Sequence, residues 1–493
     1  MKRDLGALAA REHDVLVIGG GIHGVAAAWD AAQRGLSVAL VEAGDFGSGT
    51  SWNSLKTIHG GLRHLQRGDL PGLRESVRER AALLRIAPDL VRPLAFLLPL
   101  YGHGLRGREA MAAALVAANV LGAGASDGRA PSHRVPRARV LSPREVLERA
   151  PHVDSRGLTG GAWWTDAQVE SSERLLLGFL HEAAGAGAVV ASRVEVTSLR
   201  LEGGRVRGAL ARDQEAGGTL DVRSRVVVNA SGPWIGGLLR GAGIGRSTPS
   251  LLRAVNLVLR RPLVEGYALG GWGDGRALFV VPWRDRSILG TGYEPAESPS
   301  ADGGKAALLD EARRAYPWAD LGAADVTLVH RGLVPGGGGA AGLVTRDRIV
   351  DHEAVDGHPG LVSVQSVKYT TARASAEAAV DLVVRRLGKV AAPCRTATTP
   401  LARAQPLPGT LAERTRTACR DEMALHLTDA VLRRLDLGTA GRPAPEAVEE
   451  VARTMAAELG WDASRVERET TALRAAYTAD GSVRDRAFPG EPG

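Results

Sequence analysis

Apolar and polar positions in the first part of the chain follow a pattern that predicts a strand, a helix and a second strand. The run Asp14–Ile18 is rich in β-branched residues, which is typical of a parallel strand buried on both faces. A glycine-rich turn follows this run, and the helix predicted after the turn ends near Gly35. A second apolar run, Ser37–Val41, then closes on Glu42. This β-α-β order indicates an α/β fold with a parallel sheet.

The turn carries Gly19, Gly21 and Gly24 in the spacing G-x-G-x-x-G. Glycines at these positions permit a tight turn, close approach of a pyrophosphate and close packing of helix on strand. Glu42 can bond the ribose hydroxyls of an adenosine half, and it argues against the 2′-phosphate of NADP. These features predict a Rossmann-type dinucleotide site. Because the signature is soon followed by a second polar glycine segment, bound FAD is favoured over NAD.

That second segment is 44–65 (GDFGSGTSWNSLKTIHGGLRHL), which combines a lysine, two histidines and an arginine with several glycines. Its small residues, Gly47–Ser51, offer backbone N–H donors to a pyrophosphate and a flavin. Farther along, Arg223–Trp234 (RSRVVVNASGPW) predicts another buried strand that ends in a turn containing Ser231 and Gly232. We expect this turn to return to the same cofactor.

Composition narrows the class of protein. A chain of 493 residues is expected to form two or three domains. The net charge of +7 is basic, but the cations are dispersed and aromatic residues make up only 4%, so nucleic acid is not an expected partner. An anionic small-molecule substrate or membrane surface explains the charge at least as well. Cys394 and Cys419 cannot form a disulfide framework, which suits a reducing compartment, and no metal site is evident.

Targeting and membrane signals are weak. The N-terminal sequence has no apolar signal-peptide core, and the longest apolar run, Ala110–Ala125, is too short and too rich in Ala and Gly to span a bilayer. We interpret this run as a buried helix. The protein is therefore expected in the cytoplasm, with peripheral contact to the inner membrane face as an alternative. The oligomeric state is left open, and a homodimer is among the alternatives.

Six stretches resemble the FAD-dependent glycerol-3-phosphate dehydrogenase/oxidase family in order and spacing. They are GGGIHG, SLKTIHGGLRHL, NASGPW, LFVVPWRDRSILGTGY, LVTRDRIVDH and VKYTTARASAE. Residues 432–438 and 455–469 are similar to the helical cap domain of that family, so the resemblance covers essentially the whole chain. It implies an α/β fold in which a Rossmann-type FAD-binding domain is interleaved with an α+β substrate domain and followed by a C-terminal all-helical domain.

The domain boundaries are predicted from these segments. A linker is expected at 404–410 (AQPLPGT), because Pro and Gly break both helix and strand. The predicted ranges are 1–75, 160–245 and 340–400 for the FAD-binding domain, 76–159 and 246–339 for the substrate domain, and 401–493 for the helical domain.

The resemblance also implies where the cofactor lies, since the IHGGLR segment of the family is placed near the isoalloxazine ring of FAD. Arg63 and His64 at the end of this segment fit a solvated or ion-paired helix start equally well. The predicted cofactor contacts are Gly19, Gly21, Gly24, Glu42, Thr50, Ser51, Ser54, Lys56, His59, Gly60, Gly61, Leu62, Val194, Ser231, Gly232, Lys368 and Thr370.

The substrate side departs from the family pattern at three positions. Val334 stands where the family places a phosphate-binding arginine, Asn256 where a histidine is frequent, and Tyr293 where an aspartate is common. Arg331 lies three residues before Val334, which on a strand means the opposite face. Because a charge-assisted contact is worth about 1.5–3 kcal/mol, these losses are enough to change the preferred substrate.

A flavin oxidises a secondary alcohol when a hydride moves to its N5 atom while a base accepts the hydroxyl proton. Lys368 is predicted to polarise the substrate oxygen, and the proton acceptor is left open between His59 and His330, either of which also fits a structural role. Trp163 and Trp164 are interpreted as core and turn residues. The predicted substrate contacts are Arg346, Arg331, Asn256 and Tyr293, and the predicted catalytic residues are Arg346, Lys368 and His59.

Three functions are consistent with this sequence. The favoured one is a flavoenzyme that oxidises glycerol 3-phosphate, or a related polyol phosphate, and passes electrons to quinone or oxygen. The second keeps the fold and FAD but acts on a different alcohol or amine in a specialised pathway, as the departures at the substrate side suggest. The third is a non-catalytic flavin-binding protein, which would not need Arg346 and Lys368 beside an intact flavin segment.

Overall fold

Two β-sheets and a C-terminal group of helices make up the architecture. The computed structural model describes residues 1–65, 68–104, 107–121, 133–244, 250–297, 302, 304–337, 342–344, 346–365, 368–479 and 481–484. The strands are β1 (His13–Ile18), β2 (Val38–Val41), β3 (Thr57–Ile58), β4 (Val91–Tyr101), β5 (Arg139–Leu141), β6 (Leu158–Val169), β7 (Val189–Ala191), β8 (Val194–Glu202), β9 (Arg205–Asp213), β10 (Thr219–Asn229), β11 (Leu251–Leu259), β12 (Tyr267–Trp272), β13 (Ala277–Trp283), β14 (Arg286–Pro295), β15 (Val326–Gly337), β16 (Gly342–Leu343), β17 (Arg348–Asp351) and β18 (Leu361–Gln365). The helices are α1 (Leu5–Ala9), α2 (Ile22–Gln33), α3 (Leu62–Leu65), α4 (Leu70–Ile86), α5 (Arg108–Leu121), α6 (Pro143–Arg149), α7 (Ser172–Gly185), α8 (Ile235–Gly241), α9 (Lys305–Ala315), α10 (His352–Asp356), α11 (Ala372–Leu387), α12 (Leu411–Glu422), α13 (Pro445–Leu459) and α14 (Ala463–Ala476).

The first sheet contains the predicted β-α-β unit. Its parallel strands run in the order β18-β10-β1-β2-β7, and β17 pairs antiparallel with β18 at one edge. All six residues of β1 are buried, as expected for a parallel strand with both faces covered. On one face α2, α7 and α11 share an apolar core, in which the rings of Trp29 and Phe179 meet edge to face at 5.3 Å. The β8–β9 hairpin continues the sheet antiparallel to β10.

The second sheet is mixed and has the order β16-β15-β11-β14-β13-β12-β4-β6-β3, with β5 beside β6. Strands β4 and β12 pair in parallel and join two antiparallel halves. Leu308 and Leu309 of α9 belong to the core on one face of this sheet. Tyr316, after α9, is buried there and donates its hydroxyl to the carbonyl of Leu269 at 2.8 Å. The α+β character expected of this part of the chain is thus present.

The C-terminal helices α12, α13 and α14 surround a π-helical segment, Asp429–Arg434. Their apolar side chains share a core with Trp283 and Leu328 of the second sheet. The predicted fold class, with a Rossmann-type domain, an α+β domain and a C-terminal helical domain, is confirmed.

The second sheet includes two strands from ranges predicted for the FAD-binding domain, β3 and β6. Strand β6 pairs with β4 along its whole length, from Leu158 opposite Tyr101 to Val169 opposite Val91. Because this pairing cannot be divided at residue 160, we propose that the domain boundary follows Val169.

Helix α5 differs from its prediction. The run Ala110–Ala125 was expected to be a buried helix, but within α5 only Leu115 is buried, while Val116 and Val120 are 61% and 68% exposed. The prediction is wrong because only one stripe of the helix faces β5 and β6, and residues 122–125 lie outside the described part. Among the described residues, no helix has the length and apolar character needed to cross a bilayer.

A buried ionic cluster joins the C-terminal helices to the loop after β2. The fully buried carboxylate of Asp45 accepts hydrogen bonds from Arg434 Nη2 at 2.7 Å and from Arg434 Nη1 at 2.9 Å, and it also binds Arg433 Nε. Burial alone would raise the pKa of Asp45. The neighbouring guanidinium groups of Arg434 and Arg433 outweigh this effect and lower the pKa from its ordinary value. Asp45 is therefore held ionised inside the protein, as an anchor between two distant parts of the chain.

We expect Asp45→Asn to lower the free energy of unfolding by about 3–5 kcal/mol, because Arg433 and Arg434 would lose their shared carboxylate while remaining buried. Urea unfolding followed by tryptophan fluorescence measures the change. Asp154→Asn is the control, because Asp154 pairs with Arg156 at the surface and its replacement should leave the unfolding midpoint unchanged. An Asp45→Asn protein as stable as the wild type would contradict the anchoring role.

Candidate active site

A cavity of about 1380 Å³ lies at the carboxyl ends of the parallel strands β1 and β10 and extends to the second sheet. Ligands of open α/β sheets bind in the crevice at these strand ends. The turn after β1 lines one end of the cavity, and Asn256, Phe279 and Lys368 line the other. The volume exceeds the roughly 300–1,000 Å³ of pockets for drug-sized ligands, so a dinucleotide and a small substrate can share it.

Most residues predicted for the site face this cavity, although they come from distant parts of the chain. The predicted residues that line it are Gly19, Gly21, Glu42, Thr50, Ser51, Ser54, His59, Gly61, Leu62, Val194, Ser231, Gly232, Asn256, Tyr293, Lys368 and Thr370. Five others, Gly24, Lys56, Gly60, Arg331 and Arg346, lie outside its lining.

The glycine turn forms a cradle at the N-terminus of α2. Gly19 has a φ of 106°, and a Cβ on it would lie 2.6 Å from the carbonyl oxygen of Ala230 after β10. A Cβ on Gly24 would collide with the Gly19 carbonyl, so this glycine serves the predicted close packing of helix on strand. The N-cap, Gly21, has no side-chain cap, and Ile22 N–H donates to Ser51 Oγ at 3.0 Å. Backbone donors and the helix dipole thus favour an anion here.

Glu42 is fixed beside the cradle by backbone donors. Its carboxylate accepts from Gly20 N–H at 2.6 Å and from Gly44 N–H at 2.7 Å, and its side chain lines the cavity near Val194. An oriented carboxylate next to a pyrophosphate cradle fits the ribose of a dinucleotide.

Segment 44–65 crosses from the first sheet to the second along the cavity. Thr50 is bonded to β15 in both directions, accepting from Leu333 N–H at 3.1 Å and donating to the Leu333 carbonyl at 3.0 Å. Farther on, His59 N–H donates to Thr370 Oγ1 at 3.0 Å. These bonds fix the wall of the cavity from both sheets.

Lys56 and Gly60 face away from the cavity, which corrects their predicted cofactor contacts. Lys56 is fully buried, and its ammonium group donates to Glu173 Oε1 and Ser172 Oγ, both at 2.8 Å. Burial lowers the pKa of Lys56 against the opposing effect of Glu173. Gly60 N–H donates to Asp166 Oδ1 at 2.7 Å. Both residues stabilise segment 44–65 on the side that faces away from the cavity.

Arg331 and His330 on β15 also differ from their predictions. Arg331 is buried and donates to Ser482 Oγ at 3.1 Å and to a backbone carbonyl, so its guanidinium does not reach the cavity. Because side chains alternate along a strand, Val334 faces the cavity instead. His330 is buried between the carbonyls of Thr439, at 2.7 Å, and Ser54, at 3.2 Å. Burial lowers the pKa of His330 to about 4, as for a neutral structural residue.

The inner end of the cavity holds an unpredicted cluster around Lys368. Lys368 Nζ lies 2.7 Å from His64 Nε2, and His64 Nδ1 lies 2.8 Å from Asp69 Oδ2. Arg346, predicted to bind the substrate, instead pairs with Asp69 on the solvent side and is exposed. Since His64 and Lys368 are 304 positions apart, nothing local in the sequence could indicate their contact.

An aromatic wall and two further cations of the lining, Arg240 and Arg276, were also missed. Trp164 stacks on Phe96 with ring centroids 5.3 Å apart, and Phe279 meets both rings edge to face. All three line the cavity, so Trp164, which belongs to an apolar core as interpreted, also forms part of the cavity wall, and it lies on β6 rather than in a turn. Arg276 lines the same end and donates to the Thr291 carbonyl at 2.7 Å and to a glutamate. The signal for the wall is the period-2 placement of large side chains on β4, β6 and β13, which predicts a shared face but not a cavity.

Comparison with known proteins gives two family matches. Residues 14–382 match the model of the family described as FAD dependent oxidoreductase. Residues 387–466 match the family described as the C-terminal domain of alpha-glycerophosphate oxidase.

Similar proteins and structures agree with these matches. A glycerol-3-phosphate dehydrogenase from Synechocystis is 34% identical over 419 residues, covering 80% of this chain and 74% of that protein. Another from Mycobacterium leprae is 30% identical over 532 residues, covering 95% and 88%. The structure of a Bacillus halodurans glycerol-3-phosphate dehydrogenase complexed with FAD has a TM-score of 0.71 at 24% identity, covering 96% and 95%. An L-alpha-glycerophosphate oxidase from Mycoplasma pneumoniae, also with FAD bound, has a TM-score of 0.58 at 17% identity, covering 81% and 100%. At these identities the two structures establish the shared fold.

We expect Gly19→Ala to abolish FAD binding, because the added Cβ would meet the Ala230 carbonyl at 2.6 Å in a backbone conformation that disfavours side chains. The ratio of flavin to protein absorbance after purification measures the occupancy. Gly35→Ala is a matched control, since Gly35 also has a positive φ of 88° but nothing lies within 4 Å of its Cβ position. Loss of flavin from both variants, or from neither, would contradict the cradle.

Proposed function

Because this chain belongs to the FAD-dependent oxidoreductases and carries the C-terminal domain of the alpha-glycerophosphate oxidase type, we propose that it oxidises glycerol 3-phosphate, or a related polyol phosphate, to the ketone. When bound, FAD would supply the hydride acceptor, flavin N5. The relatives named glycerol-3-phosphate dehydrogenase support this substrate. The observation that carries the proposal is the continuous cavity from the glycine cradle to Lys368.

Different residues of the cavity bind the cofactor and the substrate. Gly19, Gly21 and Glu42 hold the adenosine and pyrophosphate half of FAD. Lys368 polarises the substrate oxygen at the inner end, and its charge together with Arg276 attracts an anionic group. Both cations line the cavity, whereas Arg346 is paired with Asp69 on the solvent side. We therefore assign substrate attraction to Lys368 and Arg276.

The electron acceptor and the cellular location extend the same proposal. We propose that electrons leave to quinone or oxygen and that the protein acts in the cytoplasm, with peripheral contact to the inner membrane face. Val116 and Val120 of α5 are exposed apolar side chains that such a contact would cover. The oligomeric state stays a prediction in which a homodimer is one alternative, and the solution mass measured by light scattering tests it.

A second function is favoured by the substrate end of the cavity. Val334 and Tyr293 line it together with the aromatic wall of Phe96, Trp164 and Phe279. An apolar wall suits an alcohol or amine whose far end is uncharged better than it suits a phosphate. This alternative keeps the fold and FAD and changes only the substrate.

The first test is anaerobic reduction of the bound flavin. We expect glycerol 3-phosphate to bleach the oxidised flavin band of the purified protein, whereas glycerol at the same concentration should leave it unchanged because it lacks the anionic group. Stopped-flow absorbance measures the rate. A flavin that dithionite reduces but glycerol 3-phosphate does not would contradict this substrate and favour the second function.

We expect Val334→Arg to strengthen use of glycerol 3-phosphate, since it places a guanidinium at the cavity wall where a neutral side chain now lies. A charge-assisted contact of about 1.5–3 kcal/mol corresponds to a rise in kcat/KM of roughly tenfold to a hundredfold. Steady-state kinetics measures it. Val334→Met is the matched control, since it adds length without charge, and an equal rise in both variants would exclude phosphate recognition as the cause.

A further inference from the structure

Four side chains form a chain of contacts from the inner end of the cavity to the solvent. Lys368 and His64 line the cavity, and their nitrogen atoms Nζ and Nε2 are 2.7 Å apart. Behind His64, Asp69 lies 2.8 Å from Nδ1 and also caps α4 by accepting from Gly72 N–H at 3.1 Å. Arg346 closes the chain by pairing with Asp69 at the surface. His64 is 6% exposed, so its ring is largely shielded from bulk solvent, and the contacts with Lys368 and Asp69 orient it.

This geometry determines which nitrogen of His64 carries the proton. The ionised carboxylate of Asp69 only accepts, so Nδ1 donates its N–H to it. An ammonium group only donates, so the lone pair on Nε2 accepts from Lys368. His64 is therefore a neutral imidazole oriented by a carboxylate on one side and directed at a cavity cation on the other. A base held by a third group is the usual arrangement in enzymes that move a substrate proton.

The charges around His64 favour its neutral form before reaction. Burial and the Lys368 cation lower the pKa of His64 from its ordinary value, Arg346 acts in the same direction, and Asp69 opposes them. Glu75 of α4 faces Lys368 and Arg346 from the adjoining helix. At neutral pH the imidazole can thus accept a proton, and Asp69 stabilises the imidazolium that results.

The other histidines near the site are less suited to this task. His59 lines the cavity, but its side chain is 53% exposed and its ring is 3.5 Å from Asp166. His330 is buried outside the cavity lining. His23, in the first turn of α2 beside the glycine cradle, has its Nε2 3.7 Å from the carboxylate of Asp347.

We infer that Lys368, His64 and Asp69 form a proton relay in which the substrate hydroxyl proton is finally stored on His64. This inference rests on the proposed function, because it requires an alcohol as substrate. Lys368 contacts the substrate oxygen, His64 receives the proton through Lys368, and Asp69 is a positioning residue.

The step balances in atoms and charge. The substrate O–H bond breaks as its proton moves to Lys368 Nζ, while one ammonium proton of Lys368 moves to His64 Nε2. The substrate C–H bond breaks with its electron pair, which leaves as hydride to oxidised FAD, and the carbon–oxygen double bond forms. Lys368 ends as an ammonium group as it began, His64 ends as an imidazolium, and the substrate has lost two electrons and two hydrogens.

The first experiment measures the relay without turnover. In the FAD-loaded protein labelled with 13C at histidine Cε1, the His64 signal is identified by its loss in His64→Gln. We expect this signal to titrate with a pKa below 6.5 and the pKa to rise in Lys368→Met, because a neighbouring cation is removed. A His64 pKa that is unchanged by Lys368→Met would overturn the relay.

The second experiment follows the pH dependence of anaerobic flavin reduction by glycerol 3-phosphate. The wild-type rate should fall as the pH decreases through the His64 pKa, because the protonated imidazole cannot accept a proton. His64→Gln should reduce the rate about 10²–10⁴-fold and remove this acidic limb. His59→Gln should retain the limb, and so should His103→Gln, an exposed histidine outside the cavity. An acidic limb that persists in His64→Gln and disappears in His59→Gln would overturn the assignment.

The two experiments separate the relay from the substrate. If glycerol 3-phosphate does not reduce the wild-type flavin, the proposed function fails, and the NMR titration alone then decides the relay. Coupling between the His64 pKa and Lys368 in that case supports a relay for another alcohol, and its absence overturns the relay. Asp69→Asn should lower the His64 pKa further, because a neighbouring carboxylate is removed.

Discussion

Two buried charges determine the path of the segment that separates the cofactor end of the cavity from its substrate end. Asp45 is neutralised by Arg433 and Arg434 of the C-terminal helices, and Lys56 by Glu173 of α7. A buried charge that loses its partner costs several kcal/mol, so the stretch between these two residues has little freedom to move. The backbone donors and hydroxyls of that stretch are therefore held in one arrangement along the cavity. The C-terminal helices thus stabilise the cofactor site without lining it.

The predictable part of this protein is the part whose causes are local in the chain. The β1–α2–β2 unit follows from apolar periodicity, and the roles of Gly19 and Gly24 follow from the space that a turn, a pyrophosphate and a packed helix require. The family resemblance extended that knowledge to the fold class as a whole. The predictions that failed concern side chains whose partners are far away in the sequence. The ammonium of Lys56 turns to Glu173, 117 positions away, and Arg331 turns to Ser482, 151 positions away. Neither contact can be predicted from the residues that neighbour Lys56 or Arg331 in the sequence.

The substrate end combines features that point in different directions. Lys368 and Arg276 give it cationic character, whereas Val334 and the stacked pair of Phe96 and Trp164 make one side apolar. In a cavity of low dielectric a single well-placed cation acts strongly, so fewer cations do not by themselves exclude an anionic substrate. Selectivity here depends on how much of the bound molecule rests on the aromatic side.

The pairing of Asp45 with Arg434 also constrains the order in which the molecule can be completed. The two residues are 389 positions apart, so during synthesis the loop after β2 leaves the ribosome long before its counter-charges exist. Until the π-helical segment emerges, the Asp45 carboxylate lacks its counter-charges and must remain hydrated, so the loop after β2 cannot settle into its final form. Maturation of the flavoprotein is thus a late event, and a chain truncated before the π-helical segment would retain the glycine turn but lack the means to keep its neighbouring loop closed.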